Sequence, residues 1–160
     1  VRESMREQAS ALEEGKEDVL GLYMVTALEG MGELRGVDLR ENMVTLTSSI
    51  FRSVRFGASS AHRRANVVRF NFFHEMGAFT RDEATGTYSI DFERTMEAMD
   101  ALSAKILTLQ GDGDYEGVQE LMATYGQVGP QLQADLDRVN AAGIPVDIVF
   151  EQGVSVLGLE

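Results

Sequence analysis

From about Arg6 to Leu28 the chain repeats apolar residues at the three- and four-residue spacing of a helix, and the same run carries Glu13, Glu14, Glu17 and Asp18. Such a helix is expected to pack inward through Leu12, Val19, Leu22 and Tyr23 while Glu14 and Asp18 stand one turn apart. Two readings stay open. The acids form a solvated face near a helix start, where they also suit the macrodipole, or they are held for a cation that repays their desolvation. Gly15 sits in mid-run, where Gly costs about 1 kcal/mol relative to Ala, and that cost points to close packing against it.

Gly30, Gly32 and Gly36 end this helix. Helical spacing resumes from Leu39 to Phe56 through Met43, Leu46, Ile50 and Val54, and from Ser60 to Phe73 through Val67, Phe70 and Phe73. Gly57 lies between, so these are two helices or one with a kink. Alternation from Phe79 to Ile90 around Thr85-Gly86 predicts a β-hairpin, after which Asp91 caps a helix to about Leu109. Gly111-Asp112-Gly113-Asp114 reads as a turn, Tyr115 to Tyr125 as a helix, and Pro130 as the first residue of a last helix ending at Gly143. Val146 to Phe150 has the pattern of a short strand. The fold class is mainly α: one helical domain over residues 1–160 with a small hairpin and a short C-terminal strand.

Charge and cysteine usage narrow the function. A formal charge of -12 and a pI near 4.6 speak against duplex DNA or an anionic membrane as partner, because both call for spread cationic charge. No apolar run reaches the roughly 18 residues of a spanning helix and no secretory pattern opens the chain, which predicts a cytoplasmic protein. With no Cys, any metal would have to be held by His, Asp or Glu, which gives weight to His62 and His74.

Arg52, Arg55, Arg63, Arg64 and Arg69 form a positive stretch interleaved with Phe51, Phe56, Phe70, Phe72 and Phe73. The aromatics fall at core spacing, which favours packing and intramolecular ion pairs over binding of single-stranded nucleic acid. Asp112 to Gly117 begins like a calcium loop, but its twelfth position is Ala123, which has no carboxylate, so a helix-capping turn is expected. His74-Glu75 is not followed by the second His of a helical zinc motif. His62 follows Ser59 and Ser60, either of which could cap a new helix; facing a cleft, it could donate a hydrogen bond to an oxyanion.

Leu12-Glu13-Glu14-Gly15-Lys16-Glu17-Asp18, then Phe56-Gly57-Ala58-Ser59-Ser60-Ala61-His62, then Thr108 to Tyr115 (TLQGDGDY), together resemble the C-terminal portion of the catalytic lobe of the dipeptidyl peptidase III family, closest to bacterial and plant members, some of them fused to a Nudix domain. The resemblance spans nearly the whole chain. It implies a zinc metallopeptidase in which Glu14 is a zinc ligand, Glu13 and Asp18 are the acids that orient the ligating histidines, and His62 steadies the tetrahedral intermediate. Where eukaryotic members have a peptide-binding Arg four residues after this His, the chain has Asn66. The family's motif of two histidines and a catalytic Glu is not in these residues.

The resemblance therefore implies a C-terminal fragment of a larger enzyme: zinc and short-peptide substrates in the intact protein, the N-terminal remainder of the same protein as partner, and no bound zinc and no peptidase activity in the fragment alone. The alternative is a non-catalytic helical interaction module, in a protein called a Nudix hydrolase for a fused upstream domain, with apolar faces around Phe70 and Phe73 favouring a homo-oligomer.

Overall fold

The computed structural model describes residues 2–55, 59–145 and 150–159. A short helix α1 (Arg2–Met5) and a 3-10 turn (Arg6–Gln8) precede the long α2 (Ala9–Gly30), and Arg6 takes a positive φ of 49° between them. The run expected to start at Arg6 is thus broken at its head, and the break lets Met5 turn fully into the core.

α2 buries Ala11, Leu12, Val19 and Leu22. Tyr23, expected on this face, is instead exposed, because one residue beyond Leu22 rotates the side chain by about 100° around the helix.

α3 (Leu39–Val54) starts at Asp38, whose carboxylate accepts from the Arg40 N–H at 2.8 Å, and it buries Met43, Ile50 and Val54 as the spacing required. α4 (Ala61–Glu75) starts at Ser60, whose hydroxyl accepts from the Arg63 N–H at 3.3 Å. α3 and α4 are separate helices; Gly57, at the junction, lies outside the described residues.

α4 is the central helix. It packs against α2, against α3, and against the later helices, and it buries Val67, Val68, Phe70, Phe72 and Phe73 around its circumference. A helix apolar on several faces belongs inside. Phe70 and Phe73 therefore cannot form the exposed apolar surface expected for self-association: both are buried, and the Phe70 ring lies 5.6 Å from Phe51 and 4.9 Å from Phe79.

Strands β1 (Phe79–Arg81) and β2 (Tyr88–Ile90) form the expected antiparallel hairpin with Phe79 opposite Ile90 and Arg81 opposite Tyr88. Its turn is held by Asp82, which accepts from the N–H groups of Ala84 and Thr85, and by Gly86 at φ 67°.

Asp91 caps α5 (Phe92–Asp112) by accepting from the Arg94 N–H at 3.0 Å. The helix takes in Gly111 and Asp112, which the sequence placed in a turn, and ends at Gly113 in the left-handed conformation. Asp114 caps α6 (Tyr115–Tyr125) through the Gly117 N–H at 2.9 Å, as the capping reading of that loop required.

Pro130 opens α7 (Pro130–Ala141), which stops two residues before Gly143. α7 is clasped to the hairpin by Asp135, which is nearly solvent-free and accepts from Arg81 Nε at 2.8 Å, Arg81 Nη2 at 2.9 Å and the Tyr88 hydroxyl at 2.7 Å. The C-terminal strand expected over Val146 to Phe150 falls on 146–149, outside the described residues. Among the described residues no helix is long and apolar enough to cross a membrane. The chain is mainly α with one two-stranded hairpin.

Candidate functional site: a carboxylate and a histidine across two helices

α2 and α4 pack side by side, and their contact carries the residues singled out above. Glu14 stands in the second turn of α2 and His62 is the second residue of α4, placed there by the Ser60 cap. Across the helix pair His62 Nδ1 lies 2.8 Å from Glu14 Oε2; the His62 side chain is 70% exposed and Glu14 27%. The two residues, far apart in sequence, are thus brought together, and Glu14 also lines a cleft.

Glu13 and Glu14 line a cleft of about 360 Å³ with Arg2, Ala9, Ser10 and Gln110. Glu13 accepts from Lys16 Nζ at 2.5 Å and from Gln110 Nε2 at 2.9 Å. Lys16 first, then Gln110, hold its carboxyl below the usual carboxylate range. Glu13 is therefore a fixed anion at the wall of the cleft.

One turn on, Asp18 faces inward along α4, with Oδ2 3.1 Å from Arg69 Nη1. The Arg69 side chain is only 4% exposed, and burial lowers its pKa while Asp18 pulls it back up. Arg69 also donates to Asn66 Oδ1, and Asn66 Nδ2 donates to Ser53 Oγ at 2.8 Å. The stripe His62, Asn66, Arg69 and Phe73 occupies one face of α4 at four- and three-residue steps. Sequence reasoning placed Arg69 in a positive stretch, and this spacing was the signal for its true position. Gln110, ninety-seven residues from Glu13 along the chain, carried no such signal.

Gly15 does not answer to close packing. A Cβ placed on it would meet Ala65 Cβ and Ile106 Cδ1 at 3.7 Å, an ordinary van der Waals distance. His74 stacks on Phe70 and tilts against Phe79, and among the described residues it belongs to no group of acids and histidines that could hold a metal.

A catalytic zinc usually takes three protein ligands. Among the described residues no three His, Asp or Glu side chains converge on one point, so these residues do not fit a self-contained zinc site. Among the described residues, the carboxylate that opens onto a cleft and also pairs with a histidine is Glu14.

No family model matches the chain. A protein of Arabidopsis thaliana named Nudix hydrolase 3 is 35% identical over 148 residues, which is 92% of this chain and 19% of that protein. Two solved structures share the fold. The dipeptidyl peptidase III of Caldithrix abyssi superposes with a TM-score of 0.85 at 33% identity, over 92% of this chain and 28% of its own. The dipeptidyl-peptidase III of Corallococcus sp. strain EGB gives 0.85 at 31% identity, over 99% of this chain and 29% of its own. The resemblance carried by the three sequence segments is thus met in solved dipeptidyl peptidase III chains. The chain spans less than a third of the length of the proteins it matches.

Proposed function

We propose that these residues are part of a zinc-dependent, dipeptidyl-peptidase-III-like peptidase and supply one side of its catalytic site. The observation that carries the reading is the Glu14–His62 pair at 2.8 Å across α2 and α4, set at a cleft in a backbone with 0.85 TM-score likeness to dipeptidyl peptidase III chains. Glu14 contributes one zinc ligand, and two histidines and the catalytic Glu come from the N-terminal remainder of the protein. Glu13 and Asp18 orient those histidines, each carboxylate already directed by a cation of its own, Lys16 and Arg69. The zinc, when bound, supplies Lewis-acid polarisation of the scissile carbonyl of a short peptide.

His62 has two ring nitrogens and two tasks. Nδ1 faces Glu14, which keeps Nε2 for the substrate side. An N–H at Nε2 would donate a hydrogen bond to a developing oxyanion while Nδ1 stays with Glu14. Among the described residues no further ligands converge on Glu14, and the chain by itself is expected to be inactive.

The test is made on the full-length protein, by bound zinc and by hydrolysis of short peptides. Glu14→Ala is expected to lose the metal, and His62→Ala to keep the metal and lose at least a hundredfold in kcat, the size of one oxyanion donor. Retained zinc after the first change removes the ligand role; unchanged turnover after the second removes the donor role.

The plant relative's name favours one second reading, a helical interaction module attached to a Nudix domain. An upstream reading frame with a paired-histidine zinc motif supports the peptidase, and a frame without one supports the module.

A further inference from the structure

We infer that Arg69 is a positioning residue for the catalytic site: held by Asn66, it fixes the direction of the Asp18 carboxylate one turn beyond Glu14. The inference rests on the peptidase reading, in which Asp18 orients a ligating histidine.

Three observations lead to it. First, Arg69 is buried at a cost. Its side chain is 4% exposed, neither its Nε nor the Nη1 that faces Asp18 makes a hydrogen bond among the described residues, and its charge partner there is Asp18. A hydrophobic side chain of similar volume is often as stable or more stable in such a place, so the pair is weak evidence for a stabilising role and suits a directing one.

Second, the pair leaves half of Asp18 in use and half on offer. Oδ2 is drawn to Arg69 as an ion pair at 3.1 Å rather than a hydrogen bond, Oδ1 makes no hydrogen bond among the described residues, and the side chain is 39% exposed. A carboxylate whose one oxygen is drawn to a buried charge presents the other outward, as an acid that orients a metal-bound imidazole must.

Third, the guanidinium is itself held. Asn66 is buried, takes Arg69 on its carbonyl and passes its amide to Ser53 Oγ at 2.8 Å, so the chain Ser53, Asn66, Arg69, Asp18 links α3, α4 and α2. Asn66, four residues after His62, thus points away from the cleft and serves Arg69.

The test uses the full-length protein, with zinc affinity measured by chelator competition, kcat and KM on a short peptide, and thermal unfolding. Arg69→Lys keeps a charge but loses the planar fork and is expected to weaken zinc about 10–100-fold, the usual effect of removing an outer partner of a ligand. The loss should appear in kcat with KM within about twofold. Arg69→Met leaves Asp18 without its counter-charge; the double variant Asp18→Asn with Arg69→Met removes both charges and covers the case in which the single variant does not fold. That double variant is expected to bind zinc no more weakly than Asp18→Asn alone. A folded Arg69→Lys that keeps wild-type zinc affinity, or losses from Asp18→Asn and Arg69→Met that simply add, would overturn the inference while leaving the peptidase reading intact. A wild-type protein that binds no zinc overturns both.

Discussion

Gly15 illustrates a residue whose sequence signal was sound physics with a different outcome. Its helix cost is real, yet the space beside it accepts a methyl at 3.7 Å from Ala65 and Ile106. Gly15→Ala is therefore expected to stabilise the chain by about 1 kcal/mol through helix propensity, raising Tm by roughly 2–4 °C; a fall in Tm on thermal unfolding refutes the spacing. Gly117 is the opposite case. A Cβ there would lie 2.6 Å from Leu109 Cδ2 and overlap the Asp114 carboxylate that caps α6. Gly117→Ala is expected to destabilise by about 1 kcal/mol or more, the worth of a lost cap, and urea denaturation should show a lowered midpoint with unchanged slope. In sequence both were glycines among polar residues. What separates them is a neighbour contributed by another element or turn, which a single chain of letters does not display.

At the scale of elements, the starts of α3 to α7 were legible because Asp38, Ser60, Asp91, Asp114 and Pro130 act on their own next turn, whereas α2, expected from Arg6, begins at Ala9 with no side-chain cap. Helix ends were less so: α5 ran on to Asp112 and α7 stopped at Ala141, since the last turn depends on which residue takes the left-handed or frayed conformation. The clasp between hairpin and α7 was not legible at all, because Arg81 and Asp135 lie 54 residues apart. It has a pH signature. Arg81, foremost among the partners, holds the Asp135 carboxyl far below the usual range, while burial and Asp135 push the Tyr88 hydroxyl well above its own. A depressed carboxyl stabilises the fold above its unfolded pKa of about 3.9 and that contribution drains away as pH falls below it; a raised phenol stabilises below about 10 and is lost above it. Asp135→Asn leaves Arg81 beside an uncharged amide in a nearly closed site and is expected to cost about 3–5 kcal/mol at neutral pH. Its unfolding free energy should also fall less steeply than wild type between pH 5 and 3. Parallel acid limbs for the two proteins would show that the clasp does not carry the dependence.

The whole molecule sets α4 at the centre, so that its start presents His62 at the surface and its middle buries Arg69 against α2. From the positive stretch read in sequence Arg69 turns inward as an ion pair with Asp18, and in the acidic stretch three carboxylates are used differently: Glu13 bound by Lys16 and Gln110, Glu14 beside His62, Asp18 paired with Arg69. These separate contacts were not legible in the sequence, since four carboxylates within six positions do not show which neighbour from another element each will meet. On the proposed reading, the chain by itself should differ from the longer protein that would contain it. A ligand that binds only the folded state stabilises by RT ln(1 + [L]/Kd), about 2.7 kcal/mol at a concentration of 100 Kd. A site with three or more protein ligands should collect that gain, whereas Glu14, with no second and third ligand converging on it among the described residues, should not. Zinc titrated in calorimetric melts is therefore expected to raise the Tm of the full-length protein by several degrees, and the 160-residue chain by less than about 1 °C over the same concentrations. The Glu14→Ala change should abolish the first shift and leave the second as it was. A substantial zinc-dependent rise in the short chain, sensitive to Glu14, would mean that these residues close a metal site without their neighbours.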